Sequence, residues 1–221
     1  MNKTYDLIKE TLRGKSFYRV LFNWQVARHC SGLGGVCVDL ASGSPQASYA
    51  RYWRIAPRQM VRLDSNLGAK TDIIADLDQG IPLADNFADN IFMFNALYLI
   101  KEPAALLAEI RRVLRPDGHA FITFQFLKSE ETRVVDRHRF TRRQTEELLA
   151  GAGFSRVQVW PVGERFSAAG ELIDFAMGNF FICRILKIIW RPLCLLADRL
   201  WPKKVSRNYA AAMAWFAVIK K

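Results

Sequence analysis

The chain has 221 residues, 51% of them apolar, and a formal net charge of +11. That length and apolar content suit one globular domain with some decoration and exclude a disordered chain. A positive surplus of this size implies an anionic partner, whether nucleic acid, a membrane surface or an acidic substrate.

The first residues, MNKTYDLIKETLRGKSF, carry charges throughout and no apolar segment, which is not the pattern of a secretory signal. Residues 3–30 predict one or two amphipathic helices, with Leu7, Ile8 and Leu12, then Phe17, Tyr18, Leu21 and Phe22 as the apolar positions. The glycine-rich stretch at 31–35 breaks the pattern. Val36–Leu40 then reads as a buried strand, followed by a small-residue turn over 41–46 and an expected helix. Met60–Asp64 and Asp72–Asp76 predict two further strands, each ending in an acid, and Asn90–Asn95 a fourth. A helix over 103–114 has Pro103 near its start and a stripe of Leu106, Leu107, Ile110 and Leu114. Strands at 120–124, 157–160 and 215–219 follow, with a helix near 142–150. Cys30, Cys37, Cys183 and Cys194 form no CxxC pair, so they read as buried free thiols of a reducing compartment, and no metal site is expected.

Strands alternating with helices imply an α/β fold. The expected form is a Rossmann-like, seven-stranded, mostly parallel sheet with helices on both faces, N-terminal helices and a helical insertion before the last strand. The division expected is 1–33 as an N-terminal helical segment, 34–166 with 210–221 as the main domain, and 167–209 as the insertion. Ligands of such sheets bind beyond the carboxyl ends of the strands, where strand order switches. Asp39, Asp64 and Asp76 all fall near those ends. One acid there would be an ordinary turn residue; three, strand by strand, favour a site.

These residues resemble the class I S-adenosylmethionine-dependent methyltransferases over roughly 34–160, with a returning strand at 214–220. VCVDLASGSP at 36–45 is similar to the first motif of the family, Leu63-Asp64 to the ribose-binding acid, and Ala75-Asp76-Leu77 to the adenine contact. IPLADNFAD at 81–89, LRPDG at 114–118 and Arg139-Phe140-Thr141 followed by Ala152-Gly153-Phe154 match later segments. The resemblance implies S-adenosylmethionine as cofactor, held by Asp39, Ala41, Gly43, Asp64, Asp76, Leu77 and Asn95. Two departures stand out. The turn that usually has three glycines has Ala41, Gly43 and Pro45, and relatives often carry Glu-His where this chain has Tyr98-Leu99.

Methyl transfer is an in-line displacement that needs positioning above all, and a base only when the acceptor loses a proton. His138 is the candidate base, with Asp136 near enough in sequence to orient it; the alternative is a surface histidine in a basic loop. Tyr98 either contacts the acceptor or fills the core. Arg133, Arg137, Arg139, Arg142 and Arg143 would suit an anionic acceptor, or form a solvated charged face.

Residues 167–209 are too long for a hairpin connection. Arg184, Lys187 and Arg191 form a basic stripe at i, i+3 and i+7, and Phe181, Ile182, Ile185, Ile188, Ile189 and Trp190 cover the rest. A basic stripe opposite a broad apolar face suits a helix lying in a membrane interface, with 175–204 against an anionic surface. A span would need ~20 nearly uncharged residues. Pro192 is expected to break or kink the helix, and Lys203, Lys204 and Arg207 extend the basic margin. A lid over the acceptor pocket and a homodimer interface are the alternatives. No compact basic motif with interleaved aromatics supports nucleic acid. The reading is a cytoplasmic methyltransferase, peripheral on the inner face of the cell membrane. It would act on a small or lipid-linked acceptor; Arg139-Phe140-Thr141 together with the apolar insertion resembles members linked to surface polysaccharide, a resemblance that implies cell-envelope glycan metabolism. Its rival is a catalytically inactive methyltransferase-like scaffold or membrane-associated assembly partner.

Overall fold

The computed structural model describes residues 3–43, 48–53, 55–66, 71–132, 134–178, 180–200 and 211–221. Two helices open the chain, α1 (Lys3–Leu12) and α2 (Phe17–His29); Ser16 caps α2 by accepting from the Arg19 amide at 3.1 Å. The strands are β1 (Val36–Leu40), β2 (Gln59–Asp64), β3 (Ile73–Ile74), β4 (Ala88–Met93), β5 (Leu114–Gln125), β6 (Arg156–Val162) and β7 (Ala214–Lys220). Between them lie α3 (Pro103–Val113), α4 (Arg142–Gly151), α5 (Arg165–Met177) and α6 (Phe181–Leu200).

The sheet runs β3-β2-β1-β4-β5-β7-β6, with β7 antiparallel to both its neighbours and the other pairs parallel. Both sheet faces are covered, because alternate residues of each strand point to opposite sides. Ile91, Met93, Ile122 and Phe124 pack with Leu106, Leu107 and Ile110 of α3 on one face. Phe92, Phe94, Phe121 and Phe216 pack with Phe22 of α2 on the other. Asp89 pins the start of β1. Its Oδ2 accepts from the Val36 amide at 2.7 Å and Arg115 donates to both carboxylate oxygens, which holds its carboxyl below the usual range.

Three sequence expectations are corrected. Where a helix was expected after β1, the described residues hold only a 3-10 turn, Ser48–Arg51; Pro45 lies outside them. The third strand is two residues long, not five, because it pairs only with the end of β2 on the outer edge of the sheet. Pro192 does not break the helix: it lies inside the 20-residue α6. The third correction extends to orientation. Lys187 and Arg191 are buried, and the apolar side of α6 faces outward. Arg191 donates to Asp174 of α5, to Thr11 of α1 and to the Lys15 carbonyl, while Lys187 Nζ donates to the carbonyls of Asp174 and Gly178. Arg184 donates to the Leu12 carbonyl at 3.3 Å. Backbone carbonyls and one buried carboxylate draw the basic stripe inward, because buried polar groups need hydrogen-bond partners. No helix among the described residues is long and apolar enough to cross a membrane.

Candidate active site

Strand order reverses between β1 and β4, so their carboxyl ends flank the crevice where a ligand of such a sheet would sit. Asp39 is on β1 and almost wholly buried; Tyr49 Oη lies 3.1 Å from its Oδ2 and from the Ser42 carbonyl, and its Oδ1 has no protein partner. Burial pushes the Asp39 carboxyl up to about 7 against the partial relief of the Tyr49 hydroxyl. The unfolded chain ionises Asp39 near the ordinary 3.8, whereas the folded chain keeps its proton until about 7. Stability should therefore fall as pH rises from about 4 to about 7 and level off above, by of order 2–4 kcal/mol. Asp39→Asn is expected to flatten that slope and to be the more stable protein at pH 8 in urea unfolding; a parallel slope in the variant would refute the assignment.

The turn after β1 passes through two left-handed residues, Ala41 (φ 51) and Gly43 (φ 60). The substitution of alanine for glycine at 41 would have been mild at negative φ, but here the side chain sits in the region that costs about 1–2 kcal/mol. Ala41→Gly should raise stability by about 1 kcal/mol, read as a higher melting temperature. Asp64, at the end of β2, braces this turn: Oδ2 accepts from the Gly43 amide at 2.7 Å and Oδ1 from the Asn66 amide at 2.8 Å. Two oxygens with about four lone-pair sites leave acceptor capacity to spare. A Cβ at Gly43 would meet no atom of the described residues within 4 Å, so the turn is open toward them. Asp76 is exposed after β3 and caps a 3-10 turn through the Asp78 amide at 3.0 Å; Leu77 and Ile81 beside it are buried. An unpartnered buried oxygen, a spare-capacity carboxylate, the open turn at the glycine and an apolar floor near Asp76 fit an adenosyl group with an amino-acid tail.

Asn95 (φ 56) closes the other side after β4. Its amide donates to Thr123 Oγ1 at 2.6 Å, and its Oδ1 accepts from Tyr18 Oη and from Gln125 Nε2, the latter at 2.8 Å. Gln125 Nε2 also donates to Tyr18 Oη at 2.9 Å, while its own Oε1 is buried without a partner. Burial pushes the Tyr18 hydroxyl up to about 12, so it stays protonated and acts as a donor. Tyr18, Thr123 and Gln125 were not singled out from sequence. The alternation of Thr123 and Gln125 at the end of an apolar strand was a usable signal; Tyr18 reads only as helix core.

Tyr98 and His138 are brought together, as the amides of Arg137 and His138 both donate to the Tyr98 carbonyl. Tyr98 is buried, its hydroxyl accepts from Lys128 Nζ at 3.1 Å, and that ammonium lies 4.3 Å over its ring. His138 Nε2 is buried with no partner. The expectation that Asp136 orients His138 is corrected: Asp136 pairs with Arg139 and accepts from the Glu131 amide, because the guanidinium offers it a two-pronged contact. Arg142 and Arg143 pair with Glu146 and Glu147 along α4, a solvated charged face; Arg133 lies outside the described residues.

The strand order, with three acids at the carboxyl edge, defines an α/β domain of the Rossmann-like class. The protein-family model described as a methyltransferase domain matches residues 31–122. Those residues carry a methyltransferase domain, consistent with the class I S-adenosylmethionine-dependent methyltransferases. No curated protein matches it. Among solved structures it is similar to an S-adenosylmethionine-dependent methyltransferase of Archaeoglobus fulgidus (15% identity, 98% of this chain and 99% of the other, TM-score 0.58). It also resembles phosphoethanolamine N-methyltransferase 2 of Haemonchus contortus with S-adenosylmethionine (16%, 90% of this chain and 52% of that one, TM-score 0.56). The [4+2]-cyclase SpnF shares the fold as well (18%, 91% and 80%, TM-score 0.53), and such likeness speaks for fold rather than chemistry.

Proposed function

We propose that the protein transfers the methyl group of S-adenosylmethionine to a small or lipid-linked acceptor, at the cytoplasmic face of the membrane, with cell-envelope glycan metabolism as the setting. The observation that carries the enzymatic reading is the spare acceptor capacity of Asp64 beside the open turn at Gly43. When bound, the cofactor supplies an activated methyl group. Asp64 accepts from ribose hydroxyls, Asp76 and Leu77 receive the adenine, and the free oxygen of Asp39 accepts from the amino group of the tail. The Tyr18–Asn95–Gln125 cluster and Tyr98 hold the acceptor in line, and His138 Nε2 takes a proton where the acceptor must lose one.

A groove that could take an extended acceptor lies beside β6, lined by none of these residues. α2 carries Tyr18 and then forms one wall of this 920 Å³ groove lined by Leu21, Trp24, Arg28, Trp160 and Leu195, which suits an acceptor with apolar and polar parts. Calorimetry with S-adenosylmethionine and its demethylated product tests the reading. Micromolar binding supports it; no binding at millimolar ligand by folded protein would overturn it. Ala41 in the left-handed region favours the second reading, a methyltransferase-like scaffold that has lost its cofactor, and the same experiment decides between the two.

A further inference from the structure

The α5–α6 hairpin is set at the edge of the sheet that carries the candidate site. β6 runs parallel to β5, so the chain leaves Val162 at the carboxyl edge, and the antiparallel β7 begins there at Ala214, paired with both Val162 and Gln125. The hairpin is fastened inward by its charges. Of the five charged side chains of α6, only Arg199 is exposed. Phe181, Ile182, Ile185, Leu186, Ile189, Leu193 and Leu196 are all exposed, so the fully exposed positions of α6 before Arg199 carry no polar side chain. With Leu172, Ile173 and Phe175 of α5, Phe180 in the turn and Leu200 beyond, the hairpin holds 12 of the 17 exposed large hydrophobics among the described residues. This face exposes on the order of 1,000 Å² of apolar surface, beyond the few hundred Å² usual on a soluble monomer.

We propose that this face inserts into the interface of an anionic bilayer. Lipid fits better than a second copy, since specific protein interfaces carry roughly one hydrogen bond per 100–200 Å², and among the described residues the exposed positions of α6 before Arg199 hold no polar side chain to make them. Charge points the same way. α1 packs beside α6, and the segment from α1 to α2 presents Lys3, Lys9, Arg13 and Lys15 at exposed or half-buried positions, on a chain of net charge +11. The contact is apolar side chains in the acyl boundary with basic residues at its margin, while the stripe of Lys187 and Arg191 stays inside the protein. Docking this way brings the carboxyl edge of the sheet to the bilayer, so the site of the proposed function would draw its acceptor from the membrane plane. Only that last consequence rests on the proposed function.

The test is flotation of the full chain with vesicles of phosphatidylcholine and phosphatidylglycerol mixed two to one. Phosphatidylcholine vesicles and high salt serve as comparisons, and light scattering is run in parallel. The protein is expected to float with the anionic vesicles, less with neutral ones, and to keep part of its binding in high salt. Ile185→Glu with Ile189→Glu, both at exposed positions, is expected to lower the bound fraction at least tenfold while leaving the melting temperature and cofactor affinity unchanged. Failure of the native protein to float, equal flotation of the variant, or a dimer that the variant dissociates would each overturn the proposal. Flotation without cofactor binding would defeat the enzymatic reading and leave the docking face standing; cofactor binding without flotation would do the reverse.

Discussion

Arg191→Leu is expected to destabilise the protein by about 3–5 kcal/mol, as breaking one side of a buried ion pair does. Arg191 is 2% exposed, and its guanidinium joins four segments. Nε and Nη2 meet Asp174 Oδ2 at 2.8 and 2.5 Å, Nη1 donates to Thr11 Oγ1 at 2.7 Å, and the Lys15 carbonyl accepts at 3.1 Å. The cation also lies 5.4 Å over the Phe17 ring. Leucine would leave the Asp174 carboxylate, itself 5% exposed, with the Trp190 indole as its remaining side-chain donor. Removing both charges as Asp174→Leu with Arg191→Leu should cost clearly less than Arg191→Leu alone, because no charge is then stranded. Urea unfolding followed by circular dichroism measures both. A double variant as unstable as the single one would locate the loss in Thr11 and the Lys15 carbonyl instead of the carboxylate. Limited proteolysis should cut the single variant first in α5–α6, since Arg191 ties α6 to α5 through Asp174 and to α1 through Thr11.

The inward turn of that stripe marks where sequence reading stops. Periodicity shows that Arg184, Lys187 and Arg191 share a side of a helix and that Ile182, Ile185 and Ile189 share another. It does not say which side meets the protein. The usual assignment puts charge in water, and it fails here because the partners of the charges are a carboxylate on another helix and carbonyls at helix ends, including one 176 residues away. Strands fared better. β1, β4, β5 and β7 are legible as short apolar runs because they are buried on both faces. The edge strand β3 lacks that protection and shrank to Ile73–Ile74. In the site, acids at strand ends could be read because their position depends on local strand geometry. The bonding of Tyr18, Asn95 and Gln125 to one another could not, since those bonds span 30 to 107 residues, although the resemblance names Asn95.

Asp64→Ala should weaken S-adenosylmethionine binding at least a hundredfold. A carboxylate that accepts from both ribose hydroxyls makes two charge-assisted hydrogen bonds, each worth about 1.5–3 kcal/mol, and about 3–6 kcal/mol together is roughly two to four decades in Kd. A second contribution comes from the turn itself. Oδ2 takes the Gly43 amide and Oδ1 the Asn66 amide, so alanine frees the turn beside Ala41, already held at φ 51. Asp64→Asn separates the two contributions. Asparagine keeps one carbonyl oxygen for the Gly43 amide but loses the charge and one acceptor, so it should preserve the fold of the turn and fall between wild type and alanine. Calorimetry with the cofactor and with adenosine alone completes the argument: adenosine carries the ribose but not the amino-acid tail, so Asp64→Ala should weaken both ligands by a similar factor. Asp39→Asn should weaken only the ligand that has the tail. A loss on Asp64→Ala confined to the full cofactor would move Asp64 from the ribose to the turn, and would leave the nucleoside half of the site to Asp76 and Leu77.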